Sequence, residues 1–465
     1  MRFRGAKGDW PMRLFGVLFA ITLLVFSHPN KSWAQGVIRD AEIEAVIRDW
    51  SDPIFKAAGL RAEDINIHII NDGSMNAFVT RGQNMFLHTG IILNAETPNE
   101  LIGVIAHETG HMAGGHLARS DDAMSKAMRP MILTMGLGIL AALAGAPDAG
   151  AAIISSAQKN GAVTFFAYTR VLEASTDQAA ENYMEATGQS GRGLLSFFQR
   201  FRYNEVFSGA TKYPYFLSHP LSSQRINALE TRVEASPYKD VVDSPEDLHK
   251  LQMIKAKIVG FLKPPETTFN LYPETDTSEP ARYARAIANY QAASTKIALK
   301  QMGELIKGEP DNPYFNEFYG QILFESAQAQ KALKYHERAI ELRPDSALLR
   351  LNLAQALIAT DTTDNVTRAI MELKKVLARE NDNSFAWYQL SIAYERQGKI
   401  AQAKLATAEQ AYAMGAYLRA RSFAQRALMD LPQGTPEWRR ANDITLVIAA
   451  DPKIRKQIAQ RRKRH

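Results

Sequence analysis

The sequence predicts a mainly α-helical protein in two parts: helices around a small β-sheet in front, and an α-solenoid behind. Apolar residues recur at helical spacing, as at Ile38, Ile43, Val46, Ile47 and Trp50. Short alternating runs cluster between residues 65 and 88. From about residue 281, small residues return at fixed offsets before a terminating proline or asparagine.

At 465 residues the chain is long enough for two or three domains, and 46% hydrophobic with 22% charged residues is a globular composition. Arg2, Arg4, Lys7 and Arg13 precede an uncharged run from Leu14 to Phe26, and Ser32-Trp33-Ala34 supplies small residues for cleavage. This reads as a signal peptide over 1–34, cut after Ala34. A membrane anchor is the alternative, although the run is shorter than the ~20 residues a spanning helix needs. Without cysteine there is no disulfide and no lipid-bearing thiol, which fits a bacterial periplasm. The formal net charge of +6 comes from the termini. Residues 1–34 hold five basic residues and one acid, and the tail from Lys453 holds seven Lys/Arg, leaving the body near −5. A basic nucleic-acid-binding face is thereby excluded for the body; the basic tail, 451–465, could meet anionic lipid or be a solvated terminus.

The elements follow in order. A helix is expected over 36–60, with Pro53 near its end, then a strand at Ile65–Ile70. Phe78–Thr80 and Met85–His88 flank Arg81-Gly82-Gln83-Asn84 and read as a hairpin. The next helix opens with Thr97 as cap, Pro98 in the first position and Glu100 closing a capping box. Residues 130–158 carry no charge except Asp148, and Pro147-Asp148 marks a turn; this is expected to be an apolar helical hairpin packed over or beside the site, or dipping into a membrane. Residues 160–235 read as helical. Residues 241–280 are rich in Pro, Asp, Glu and Thr and read as a connector with one helix near Leu248–Leu262.

The repeats occupy 281–450. Ala286, Ala298 and Leu305 lead to Pro310; Gly320, Ala332 and Ala339 lead to Pro344; Ala354, Ala369 and Val376 lead to Asn381. The intervals are 34 and 37 residues, the longer one with an insertion at Thr362–Asn365. Trp387, Tyr394, Gly398 and Ala403 match a further unit, and Ala420, Ala427 and Pro432 the second half of another. The pattern resembles the tetratricopeptide repeat, a helix–turn–helix unit whose stacks present a concave binding surface.

The chemistry is concentrated in His107-Glu108-Thr109-Gly110-His111. At 3.6 residues per turn the two histidines share one helix face and can chelate one zinc ion, with Glu108 beside them as general base. A third ligand must come from elsewhere. Glu173 is the candidate, and Asp177, four residues on, is placed to hydrogen-bond a ligating histidine. His116 falls roughly opposite on the helical wheel and is expected to face away; His68 and His88 read as structural.

HETGH, then Tyr168-Thr169-Arg170…Glu173…Asp177, then His219-Pro220…Arg225-Ile226, with Asn76-Ala77-Phe78 and His116…Arg119, resembles the zinc metalloprotease family that includes HtpX. With a signal peptide in front and repeats behind, the nearest pattern is its periplasmic BepA-type branch. The resemblance implies a zincin-type (gluzincin) metalloprotease domain over 35–240, with His107, His111 and Glu173 on one Zn2+ and Glu108 as base. It also implies an edge strand that pairs with extended substrate, for which Met85, Phe86, Leu87 and His88 are the candidates. The chain departs from the family at Ser175-Thr176 and Gly114-Gly115, which puts fine positioning in question. His219 is read as a fourth ligand that gates the site, with an oxyanion donor as the alternative; Arg225 anchors that turn or assists the oxyanion.

The expected function is an exported zinc endopeptidase in envelope and outer-membrane protein quality control. Unfolded or misassembled envelope proteins would be its substrates, and a protein partner, such as outer-membrane assembly machinery, would sit on the repeats. Peripheral membrane contact is admitted and nucleic acid is not expected. The alternatives are a chaperone-like assembly factor with proteolysis secondary, and a membrane-embedded protease.

Overall fold

The computed structural model describes residues 36–116, 134, 137, 147–208, 215 and 219–462. The expected signal peptide and the first arm of the expected apolar hairpin therefore lie outside the described residues, apart from 134 and 137.

Strand β1 (Val37–Ile38) leads into helix α1 (Ala41–Ala57), which Asp40 caps by accepting from the amides of Glu42 and Ile43. Strands β2 (Asn66–Ile70), β3 (Ala77–Thr80) and β4 (Asn84–His88) complete one sheet in the order β1-β2-β4-β3. β4 pairs parallel with β2 and antiparallel with β3. This corrects one expectation: Met85–His88 is an interior strand, and the open edge beside it is β3. The hairpin pattern makes β3 and β4 neighbours but does not say which one meets β2. Packing decides, because Met85 and Leu87 are fully buried and a strand so apolar goes to the centre.

Helix α2 (Thr89–Asn94) is followed by α3 (Pro98–Ala113), whose cap Thr97 accepts from the amide of Glu100 as expected. The Glu100 carboxylate accepts from the amide of Glu96 rather than that of Thr97, and is held by Arg200 at 2.5 Å. Helix α4 (Pro147–Ala186) starts at the proline read as a turn and runs for 40 residues; α5 (Arg192–Ser208) and α6 (Ser223–Ala235) complete this half. Among the described residues no helix is long and apolar enough to cross a membrane. One core gathers α1, the sheet and α3 to α6 around Ile47, Ile54, Met85, Ile105, Met184 and Phe198.

The expected connector is more than a tether. Helices α7 (Pro245–Leu262) and α8 (Pro265–Leu271) follow, and α7 contributes Leu251, Ile254 and Ile258 to the front core. On its other side Lys257, 2% exposed, lies 2.9 Å from Asp40 and 3.1 Å from Glu42, and Tyr283 of the first repeat donates to Glu42 at 3.2 Å. A cavity of about 310 Å3 opens beside it, lined by Asp40, Lys257, Glu317, His336, Asn352 and Gln355 among others.

Burial pushes the Glu317 carboxyl from 4.5 up to about 7, with Asp40 and Glu42 adding and Lys257 opposing. The folded state then holds this proton where the unfolded chain has lost it, so stability falls as pH rises from about 4.5 to 7 and is level above. Glu317→Gln, neutral throughout, should therefore gain about 2–3 kcal/mol over wild type at pH 8 and nothing at pH 4, by urea denaturation. An equal change at both pH values would refute this.

The repeats form helix pairs α9 (Glu279–Gln291) with α10 (Thr295–Gly308), α11 (Pro313–Glu325) with α12 (Ala329–Leu342), and α13 (Ala347–Ala359) with α14 (Thr363–Arg379). The fixed small residues Ala286, Ala298, Gly320, Ala332, Ala354 and Ala369 lie between paired helices; a Cβ at Gly320 would stand 3.0 Å from the His336 ring. The insertion at 362–365 lengthens α14 to 17 residues, with Thr362 as its cap. Helices α15 (Ser384–Arg396), α16 (Ile400–Ala413), α17 (Tyr417–Asp430), α18 (Pro436–Ala450) and α19 (Pro452–Arg462) continue the stack. Arg39 reaches Glu380 at 2.8 Å, so the start of the front half touches the third pair.

Candidate active site

Helix α3 is buried on nearly every side, which a helix in the middle of a domain must be. Its packing needs Gly110: a Cβ there would lie 2.9 Å from the Thr176 methyl, so α3 and α4 can approach closely only at glycine. That approach brings Glu173 and Asp177 of α4 against His107 and His111.

The structure brings His107, His111, Glu173 and His219 together, each offering a ligand atom within 4.8 Å of the others, and all four are buried. His107 Nε2 lies 3.1 Å from His111 Nε2, 3.3 Å from His219 Nδ1 and 3.4 Å from Glu173 Oε2. Glu173 Oε1 lies 3.4 Å from His111 Nε2 and 3.2 Å from His219 Nδ1. Tetrahedral bonds of ~2.0–2.1 Å would set ligand atoms about 3.3 Å apart. The donor set and its spacing thus suit one small metal ion. Glu108 is 1% exposed, with Tyr215 and His219 as its polar neighbours. His219 Nε2 stands 3.5 Å from Glu108 Oε1.

Behind the quartet sits Arg225, 4% exposed. Its Nε and Nη2 donate to the two oxygens of Asp177 at 2.7 Å each, and its Nη1 donates to the Pro220 carbonyl at 2.7 Å and lies 3.1 Å from Glu173. Asp177 Oδ1 in turn lies 3.0 Å from His107 Nδ1. Arg225 therefore contacts the His219 turn and both acids.

Electrostatics follow from burial and these pairs. Burial by itself would depress His107, but Asp177 and Glu173 outweigh it and raise it to about 9. Burial would raise Glu173, yet hydrogen bonds from His107, His111 and His219 hold it well below the carboxylate range. Asp177 is likewise lowered, burial being overcome first by Arg225 and then by His107. Glu108 is the exception: burial pushes it up to about 7 although His111 and His107 pull down. One carboxylate is held ionised and its neighbour is made basic.

Two residues behave otherwise than the pattern suggested. His116 does not face away. Helix α3 ends at Ala113, Gly115 takes φ +63°, and the chain folds His116 back so that its Nδ1 is 3.1 Å from His111 Nδ1 and 3.2 Å from the Thr176 hydroxyl. A helical wheel cannot see past a helix end. Tyr215 was not foreseen. It is fully buried, stacks on His219 at 4.6 Å, accepts the His219 amide on its carbonyl and donates its own amide to Met75. Its only signal was an aromatic four residues before His219. His68 and His88 stay in the sheet, His68 against Phe86 and His88 on Ser74.

A buried histidine–glutamate quartet under a sheet edge is a metallopeptidase arrangement, and residues 38–233 match peptidase family M48. That span is similar to a peptidase family M48 domain. The chain is similar to the putative beta-barrel assembly-enhancing protease of Vibrio cholerae, at 26% identity over 79% of this chain and 76% of the relative. The beta-barrel assembly-enhancing protease of Escherichia coli K12 is 24% identical over 75% of this chain and 71% of its own length. Among solved structures, YrrB, described as a TPR protein with an unusual peptide-binding site, overlays 38% of this chain and 91% of its own at 16% identity and TM-score 0.32. MamA overlays 38% and 96% at 16% identity and TM-score 0.28.

Proposed function

We propose that this protein is an exported zinc-dependent endopeptidase acting on unfolded or misassembled envelope proteins during outer-membrane protein assembly, with its repeats recruiting clients or assembly machinery. The observation that carries this is the buried quartet of His107, His111, Glu173 and His219 with the buried Glu108 beside it. Three imidazoles and one carboxylate are a donor set that suits zinc. The similarity to beta-barrel assembly-enhancing proteases over both halves of the chain supports the compartment and the client class.

In this reading His107, His111 and Glu173 hold the ion, and Asp177 orients the His107 ring through Nδ1. Zinc, when bound, supplies the Lewis acidity that makes water acidic enough to attack a peptide carbonyl near neutral pH. Glu108 takes the proton of the attacking water and returns it to the leaving amine. An extended substrate adds a strand to the open edge of β3, Ala77–Thr80, which packs on α3; backbone pairing tolerates many sequences. His219 is the gate. As a fourth donor it closes the position that substrate and water need, and Tyr215 and Arg225 hold its turn.

Metal analysis joined to a cleavage assay tests the proposal. The purified protein should hold one zinc per chain and lose cleavage of unfolded protein on chelation. His219→Ala should keep the zinc and cleave faster. A wild type that binds no zinc sinks the assignment; a His219→Ala variant that keeps zinc but loses cleavage makes His219 an oxyanion donor instead of a gate.

A further inference from the structure

Charge is distributed unevenly along this chain. Residues 417–465 hold twelve Lys and Arg against four Asp and Glu, a net +8, whereas residues 35–416 hold 38 against 44, a net −6. Helices α17, α18 and α19 therefore form a basic end on an acidic body. They bury Ala420, Ala424, Ala427, Ala441, Ile444, Ile448 and Ile454 in their own core. Their outward faces mix cations with large exposed aliphatic side chains. On α17, Leu418, Arg421, Gln425 and Met429 fall at i, i+3, i+7 and i+11 and are all exposed; on α18, Arg439, Leu446 and Ala450 do the same at i, i+7 and i+11. Met429 is 76% and Leu446 57% exposed, with Val447 beside it. At the start of α19, Lys453, Arg455 and Lys456 are exposed while Ile454 turns into the core. Among the described residues, Arg421, Arg439, Lys453, Arg455 and Lys456 make no ion pair with a carboxylate.

We propose that this end of the solenoid docks on an anionic phospholipid surface. Cations at headgroup depth with large aliphatic side chains among them are what a bilayer interface selects. A nucleic-acid surface would instead offer aromatic faces for stacking, and here Tyr417, Phe423 and Trp438 are half-buried against the helix core. The exposed aliphatics contribute nothing to that core, so a partner surface gives them their use. Docked this way, the three end helices tether the chain to a membrane while α3 and the β3 edge lie in the other half of the molecule.

The test is co-sedimentation of the whole mature protein with phosphatidylcholine vesicles, with and without phosphatidylglycerol, at low and high salt. Binding should require phosphatidylglycerol and weaken with salt. Each basic residue near an anionic surface is worth about fivefold in partitioning, so Arg455→Glu with Lys456→Glu should lower it at least about twentyfold. Leu446→Ser with Val447→Ser should lower it about tenfold. Both pairs are surface changes and should leave the melting temperature and the cleavage of a soluble unfolded protein unchanged. Equal binding to neutral vesicles, no binding at low salt, or no response to either pair would overturn the proposal. So would tighter binding to duplex DNA or to an acidic protein than to anionic vesicles.

Discussion

Glu108→Gln should lower cleavage of an unfolded protein by about 10^2–10^4-fold and leave zinc content unchanged. Gln keeps the shape of the side chain and removes its basicity. The proposed ligand atoms of His107, His111 and Glu173 are untouched by it, and Glu108 is not among that ligand group. Burial has already raised the carboxyl to about 7, so its loss removes a base matched to neutral pH. The assay is initial cleavage rate beside metal content for the same preparation. A variant that cuts at the wild-type rate would end the assignment of Glu108 as base. If envelope function in cells survived Glu108→Gln but not deletion of 281–450, the chaperone-like reading would gain instead.

Arg225→Met should cost about 3–5 kcal/mol of stability in the metal-free protein, because a buried ion pair loses one partner while the other stays. Its guanidinium is bidentate on Asp177, contacts Glu173 and holds the Pro220 carbonyl, with the Phe198 ring 5.3 Å away. Removing it leaves two carboxylates in a buried site with only imidazoles to answer them. Arg225→Lys keeps the charge but not the fork, and should fall between. Adding Asp177→Leu to Arg225→Met should recover part of the loss, since the stranded charge goes with it. Urea denaturation reads all of these; a loss under about 1 kcal/mol for Arg225→Met would mean that water replaces the guanidinium and that the pair does not hold the His219 turn.

How far the site could be read depended on how local each part is. His107, Glu108 and His111 are set by a single turn of one helix, and Thr97 and Pro98 mark where that helix starts, so their relation needs no knowledge of the fold. Glu173 and Asp177 were legible as a pair on one helix face and as candidate partners of the histidines, and the family resemblance pointed to the same residues. The reason α4 can come so close is Gly110 facing Thr176, and Gly110 looks like an ordinary filler inside HETGH. His116 was misread because a wheel assumes that the helix continues, and Gly115 at positive φ ends it. Tyr215 had no pattern to announce it; it matters because two distant segments stack there. The repeats were legible throughout, since each helix pair repeats the same close contact, and even the insertion at 362–365 showed as a lengthened helix.

What the sequence determined alone is whatever rides on periodicity within one or two turns: the helices, the hairpin, the repeat register, and the pairing of His107 with His111 beside Glu108. Tertiary structure decided everything that joins separate elements. It put β4 inside the sheet and left β3 as the edge, buried Lys257 between the two halves, turned His116 back on His111 and set Arg225 behind the acids. The physical reason is the same in each case. Local spacing fixes which face a side chain takes, but the partner of that face is chosen by packing among segments tens or hundreds of residues apart, where burial and charge pairing are balanced over the whole core.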